Sequence, residues 1–158
     1  MNVEVSNMLA ICSDQAAYTL KRRIKAYLDE AGVAYVDMGN YDMEVTYFSY
    51  FVDKTCRFML AGHCKRAIIL CGSGIGIGLA ANKYPGIRCG RCDDPTQVAL
   101  ARRENDMNVL AMGARVTGAE LAVEMVKAFL ETPFDPLYQR SLDSLHEADR
   151  QHFKDEYL

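Results

Sequence analysis

The stretch Ile69–Lys83, ILCGSGIGIGLAANK, sets a thiol directly before four glycines at alternate positions, Gly72, Gly74, Gly76 and Gly78. Glycines let a backbone approach a ligand closely and adopt positive φ. A loop that opens a helix also presents unpaired N–H groups and the positive end of the helix dipole, which attract anions. The same dipole favours the thiolate of Cys71, and a thiolate can act as a base as well as a nucleophile. The chain holds three histidines, His63, His146 and His152. His63 falls at a helix end before the third strand and the others fall in the C-terminal tail, so none is expected beside Cys71. The pattern points away from Cys–His hydrolysis and toward a thiolate that moves protons.

Two other readings of the loop stay open. From Gly76, GIGLAA satisfies a loose GxGxxA nucleotide pattern. It follows the third strand, however, whereas the first is followed by SDQAA, and no Gly-Lys-Ser/Thr completes a P-loop. The glycines could also serve close packing alone. Among the six cysteines (Cys12, Cys56, Cys64, Cys71, Cys89 and Cys92) the CxxC pair Cys89–Cys92 has no second pair and no neighbouring histidine. Structural zinc wants four ligands, so the expectation is free, mostly buried thiols and no metal.

The elements that must carry this loop alternate along the chain. MLAIC (Met8–Cys12), VAYVDMG (Val33–Gly39), RAIILC (Arg66–Cys71), a doubtful GIRCGRC and NVLAMG (Asn108–Gly113) read as strands. Helices are expected over Ala16–Glu30, where Leu20, Ile24, Tyr27 and Leu28 recur at helical spacing, over the aromatic stretch ending at Gly62, and from the glycine loop to about Lys83. Another starts at Asp94-Pro95, an N-cap followed by proline, and TGAELAVEMVKAFLE forms a fifth. A polar helical tail runs from about Gln139 to Leu158. Strands apolar on both sides imply a parallel sheet covered on both faces. The fold class is therefore α/β, a three-layer, doubly wound, Rossmann-like five-stranded parallel sheet. Ligands of such sheets bind beyond the carboxyl ends of the strands. At 158 residues one domain is the simplest division. The net charge of −3 gives no footprint for nucleic acid, no apolar run spans a bilayer, and MNVEVSNM does not read as a signal peptide. Cytoplasmic residence is the resulting expectation.

CGSGIGIGLAANKYPGIRC, ALARRENDMNVLAMGARVTGAELAVEMVKAFLETPF and ICSDQAAYTLKRRIKAYLDEAG together closely resemble the ribose-5-phosphate isomerase B and galactose-6-phosphate isomerase family, over roughly Met8 to Asp135. The resemblance implies aldose–ketose isomerisation of a sugar phosphate through a cis-enediolate, with no cofactor. It also implies a homodimer, or a dimer of dimers, whose active sites are shared between subunits. By position, Cys71 becomes the base that carries the proton between C1 and C2, and Ser73 helps open the sugar ring. The amides of Gly72, Ser73, Gly74, Ile75 and Gly76 become an oxyanion site. Asp14 matches a sugar-hydroxyl ligand, and Asn105 and Arg115 match binding positions after the fourth helix and the fifth strand.

The departures from the family gather at the substrate. Its Asp-His after the first strand is Asp14-Gln15 here, and its Asp-Tyr-Pro is Tyr47-Phe48-Ser49. The histidine that assists ring opening is Glu104. The two arginines that grip phosphate fall on Tyr138 and Leu142, leaving Arg140 nearby, with Arg88 and Arg91 as other candidate substitutes. Losing charge-assisted bonds of this kind weakens the grip on a dianion. Three readings follow: an isomerase with specificity shifted from ribose 5-phosphate; an ordinary ribose-5-phosphate isomerase with rearranged phosphate contacts; or a non-catalytic sugar-binding or partner subunit. Phe48 and Tyr50 are expected in the core or at a subunit interface rather than stacked on a sugar.

Overall fold

The structure, a computed structural model, describes residues 8–42 and 44–153. The stretch read as lacking a signal peptide lies almost entirely outside these residues, as does the end of the polar tail. Five strands, β1 (Leu9–Ser13), β2 (Tyr35–Gly39), β3 (Arg66–Cys71), β4 (Cys89–Arg91) and β5 (Val109–Gly113), form one parallel sheet in the order β2-β1-β3-β5-β4. The six helices are α1 (Tyr18–Glu30), α2 (Phe48–Leu60), α3 (Ile75–Ala81), α4 (Pro95–Asn105), α5 (Ala119–Glu131) and α6 (Gln139–His152).

The alternation of side chains along each strand builds a core on each face. Leu9, Ile11, Ile68, Leu70, Leu110 and Met112 point to the side covered by α1, α4 and α5, where Leu20, Ile24, Val98, Met125 and Phe129 meet them. Ala10, Cys12, Ala67, Ile69, Cys71 and Ala111 point to the other side, against Phe51, Val52, Cys56 and Met59 of α2 and Ile77 and Ala81 of α3. Small residues on this second side let α2 and α3 lie close to the sheet.

Local signals account for most boundaries. Asp94 accepts a hydrogen bond from the Gln97 N–H at 2.9 Å, with Pro95 at the first helical position, as the N-cap reading required. α1 begins at Tyr18 because Asp14 caps a 3-10 turn over Gln15–Ala17 first. α3 ends at Ala81 rather than near Lys83. The Asn82 side chain there turns to bridge the Cys89 backbone, donating to its carbonyl at 2.9 Å and accepting from its N–H at 2.8 Å. The doubtful fourth strand is real but only three residues long, at the sheet edge.

Lys21 is buried, 1% exposed, and donates to Asp37 at 2.7 Å and to the Asn40 carbonyl. Lys25 holds the other oxygen of Asp37, also at 2.7 Å. Burial is the largest influence on Asp37 and acts upward, but the two ammoniums outweigh it and hold the carboxyl below the ordinary range. This cluster fixes the turn after β2 at the carboxyl edge of the sheet. Among the described residues no helix is long and apolar enough to cross a membrane.

Candidate active site

β1 connects to β2 on one side while β3 lies on its other side, so the carboxyl ends of β1 and β3 flank the topological switch point, where such sheets open a crevice. Asp14 follows β1 and Cys71 closes β3. Ser13 stands beside Leu70 in the ladder, and the Asp14 N–H donates to the Leu70 carbonyl at 3.0 Å. Cys71 is 5% exposed, and its Sγ accepts the Gly74 N–H at 3.2 Å. The carbonyls of Cys71 and Gly72 accept from the Ala114 and Arg115 amides at 2.9 Å each, lacing the loop to the end of β5. Gly74 has φ +76°, and a Cβ there would stand 2.8 Å from the Met112 carbonyl carbon. Glycine is therefore required at this position on two counts.

The five loop amides are not equivalent. Gly74 donates to Cys71 and Ile75 to the Ser73 Oγ at 3.2 Å, so those two are engaged within the loop. The Ser73 and Gly76 amides have no partner among the described groups. The Arg115 guanidinium lies over Gly72, within 3.2 Å of where a Cβ would be. Burial pushes the Asp14 carboxyl upward, opposed by the amides of Ala17 and Ala16, by Arg115 and by the Gly72 amide. Asp14, Arg115 and the loop thus stand side by side. Gln15 follows Asp14, and its buried Oε1 has no partner.

Burial pushes Cys12 and Cys56 up to about 12 and Cys64 and Cys92 up to about 11, and raises Cys89 further. All six cysteines are free thiols, and all but Cys89 are buried, as expected; the raised thiols of Cys12, Cys56, Cys64, Cys89 and Cys92 stay protonated and serve packing.

Four sequence-predicted site residues do not join this cluster within one chain. A helix that follows a parallel strand runs back toward the strand starts, so the end of α4 lies at the opposite edge. There Glu104 pairs with Arg103 at 2.9 Å. Asn105, the last residue of α4 rather than one after it, gives its carbonyl to Arg88 at 3.2 Å. The segment carrying Tyr138 and Arg140 is tied to the same place through the Asp135 N–H, which donates to the Arg103 carbonyl at 2.9 Å. Strands of five or six residues rising about 3.3 Å each set the two edges roughly 15–20 Å apart. Arg88, considered as a phosphate substitute, is likewise at the far edge, bound to Asp106 at 2.6 Å. Leu142 lies on α6 and is buried.

Two residues gain importance from the structure. Arg91, at the end of β4, donates from Nε to the Ser73 carbonyl at 3.3 Å and pairs with Asp93, so it borders the loop as Arg88 does not. Phe48, at the start of α2, lays its ring within 3.1 Å of where a Gly76 Cβ would be. The one signal for this contact along the chain is the aromatic departure at Tyr47-Phe48-Ser49. Phe48 packs partly buried against the core, as expected, whereas Tyr50 is 63% exposed and is not a core residue of this chain.

A glycine loop bearing a cysteine at the switch point of a doubly wound sheet defines a small-molecule enzyme of the α/β class, and comparison with known proteins narrows it. The model of the ribose/galactose isomerase family matches residues 9–145. The chain is 38% identical over 127 residues to ribose-5-phosphate isomerase B of Escherichia coli, covering 80% of this chain and 85% of that protein. It is 38% identical over 129 residues to D-erythrulose-4-phosphate isomerase of Pectobacterium atrosepticum, covering 80% and 84%. A crystal structure of a ribose 5-phosphate isomerase from Thermotoga maritima superposes with a TM-score of 0.85 at 38% identity, covering 89% of this chain and 97% of that one. The chain belongs to the ribose/galactose isomerase family and is an aldose–ketose isomerase.

Proposed function

We propose that this isomerase acts on a short open-chain sugar phosphate, with the Cys71 thiolate carrying the proton between C1 and C2 through a cis-enediolate. The observation that carries the reading is Cys71 at the switch point, its Sγ receiving the Gly74 amide at 3.2 Å beside the free amides of Ser73 and Gly76. The thiolate removes the proton from the carbon next to the carbonyl. The amides stabilise the oxygen on which charge develops, and the same sulfur returns the proton to the neighbouring carbon. Ser73 assists ring opening where a cyclic sugar is offered, a step an open-chain four-carbon substrate does not need, and Asp14 with Gln15 holds sugar hydroxyls. Arg115 and Arg91 are the cations nearest the loop.

Specificity is shifted from ribose 5-phosphate. Tyr138 and the buried Leu142 replace the two phosphate-gripping arginines, and Phe48 crowds the Gly76 side of the loop. The first change weakens the usual phosphate grip, the second favours a smaller substrate, and a relative of equal identity is named for a four-carbon phosphate. Glu104, Asn105, Tyr138 and Arg140 enter the site from a second copy of the chain, giving a homodimer with shared sites in a single-domain, cytoplasmic enzyme. The test is a panel of tetroses, pentoses and hexoses, with and without phosphate, assayed for aldose–ketose conversion. The expected result is saturable turnover of a tetrose phosphate with higher kcat/KM than ribose 5-phosphate. Equal or better turnover of ribose 5-phosphate refutes the shift, and absence of turnover with every sugar favours a partner-subunit role.

A further inference from the structure

The edge of the sheet where the strands begin carries a cavity of about 820 Å³, remote from Cys71 of the same chain and lined by none of the residues given a role in the reaction above. Four cations line it, Lys65, Arg66, Arg88 and Arg102, against two carboxylates, Asp106 and Glu131. This excess of positive charge occurs in a chain whose net charge is −3. Asp106 is already shared, at 2.6 Å from Arg88 and 2.8 Å from Arg102. Arg66 and Arg102 both approach the Phe129 ring, 5.8 and 5.9 Å from its centroid, so one ring anchors both guanidiniums. Burial and the neighbouring Arg102 cation both push Arg66 below the ordinary guanidinium value.

Capping of helix ends explains only part of this arrangement. Arg66 Nη1 donates to the Phe129 and Leu130 carbonyls at 2.9 and 3.0 Å. Arg102 uses Nε on the Thr132 carbonyl and Nη1 on Asp106 and the Met107 carbonyl. The Nε and Nη2 donors of Arg66, the Nη2 of Arg102 and the Lys65 ammonium have no partner among the described residues. Guanidinium forks with free donors match the oxygens of a phosphate bidentately. An anion bound between them also relieves the repulsion of two like charges.

We propose that this cavity is a binding site for a small phosphate-bearing anion, held by the free donors of Arg66 and Arg102 with Lys65 at the rim. The test is a titration of the full chain, followed by amide NMR, with inorganic phosphate and separately with glycerol 3-phosphate, against chloride at matched ionic strength. The expected result is saturable shifts of the Gly62, Cys64, Arg88 and Thr132 amides with phosphate and none with chloride. Affinity should fall about tenfold in Arg66→Gln and several-fold in Lys65→Gln, whose exposed side chain leaves folding intact. Tighter binding of glycerol 3-phosphate would identify the phosphate as part of a larger metabolite, and tighter binding of the inorganic ion would identify the free anion; either supports the site. Shifts confined to residues 72–76, unsaturable shifts, the same response to chloride, or unchanged affinity in a folded Lys65→Gln variant would overturn it.

Discussion

The two edges of the sheet use arginine differently. Where the strands begin, Arg66, Arg88 and Arg102 donate to carbonyls at the ends of α4 and α5 and to Asp106. They neutralise the negative ends of those helices and fasten the layers together. Where the strands end, the Arg115 guanidinium lies over Gly72 with no hydrogen bond or ion pair among the described residues, and the Arg91 side chain donates to the Ser73 carbonyl and pairs with Asp93. At the first edge part of each guanidinium is committed to the fold and the remaining donors stay free, while at the second the Arg115 guanidinium makes no fold contact of this kind. The residues that family position would assign to one site are nonetheless split between the edges, which a single copy cannot reconcile and a pair of copies can.

Mixing of inactive variants breaks or sharpens that contrast most strongly. Cys71→Ala alone, and Glu104→Ala/Arg140→Ala alone, should each lose activity by a factor on the order of 100 or more. After unfolding and co-refolding in equal amounts, half the dimers are mixed and each carries one intact site, restoring about a quarter of native activity. Full activity of the far-edge double variant by itself would show that those residues do not serve the reaction.

Next in size is the cluster that fixes the turn after β2. Lys21→Met leaves Asp37 with Lys25 alone and the Asn40 carbonyl unpaired, and should cost about 3 kcal/mol in denaturant unfolding. Lys25→Met, at a partly exposed position, should cost less than about 1 kcal/mol. The Asp37 carboxyl is depressed in the fold, so its contribution is present above the unfolded value of about 4 and is lost as pH falls through the folded value. The acid limb of the stability profile should therefore flatten in Asp37→Asn. Equal costs for Lys21→Met and Lys25→Met would contradict this account of the cluster.

The smallest expected effects concern Phe48 and Asp14. Phe48→Ala opens the Gly76 side of the loop and should raise kcat/KM for five-carbon relative to four-carbon phosphates by about tenfold, within the range that a hydrophobic contact discriminates. Asp14 is pushed upward by burial, the opposite sign from Asp37. Its ionised form opposes folding above its ordinary value, and this opposition fades as pH falls through the raised folded value. Asp14→Asn, which keeps the capping oxygen, should leave stability at pH 7 equal or slightly higher while weakening substrate binding. A marked loss of stability would show instead that the carboxylate is a structural group.

Much of the fold is legible because its strands are continuous apolar runs, its helices repeat apolar residues at helical spacing, and the start of α4 carries a recognisable cap in Asp94-Pro95. β4 was doubtful because three residues at an edge carry too little pattern, and the end of α3 was misjudged because the Asn82–Cys89 bridge is a tertiary contact. The loop from Cys71 to Gly76 and its neighbours Asp14 and Arg115 were readable because strand ends in a parallel sheet converge. The separation of Glu104 and Asn105 was within reach of the same rule, since they end a helix rather than open one. The contact between Phe48 and Gly76 and the loop-facing position of Arg91 depend on packing between distant elements, which periodicity does not encode.

The most direct measurement is isomerisation in D2O, with deuterium at C1 and C2 of the product followed by NMR for the native chain and for Cys71→Ala, both shown to be folded. The account predicts solvent deuterium entering the product of the native enzyme and entry slowed about 10²–10⁴-fold in the variant. Deuterium entering at the native rate without the sulfur would contradict it.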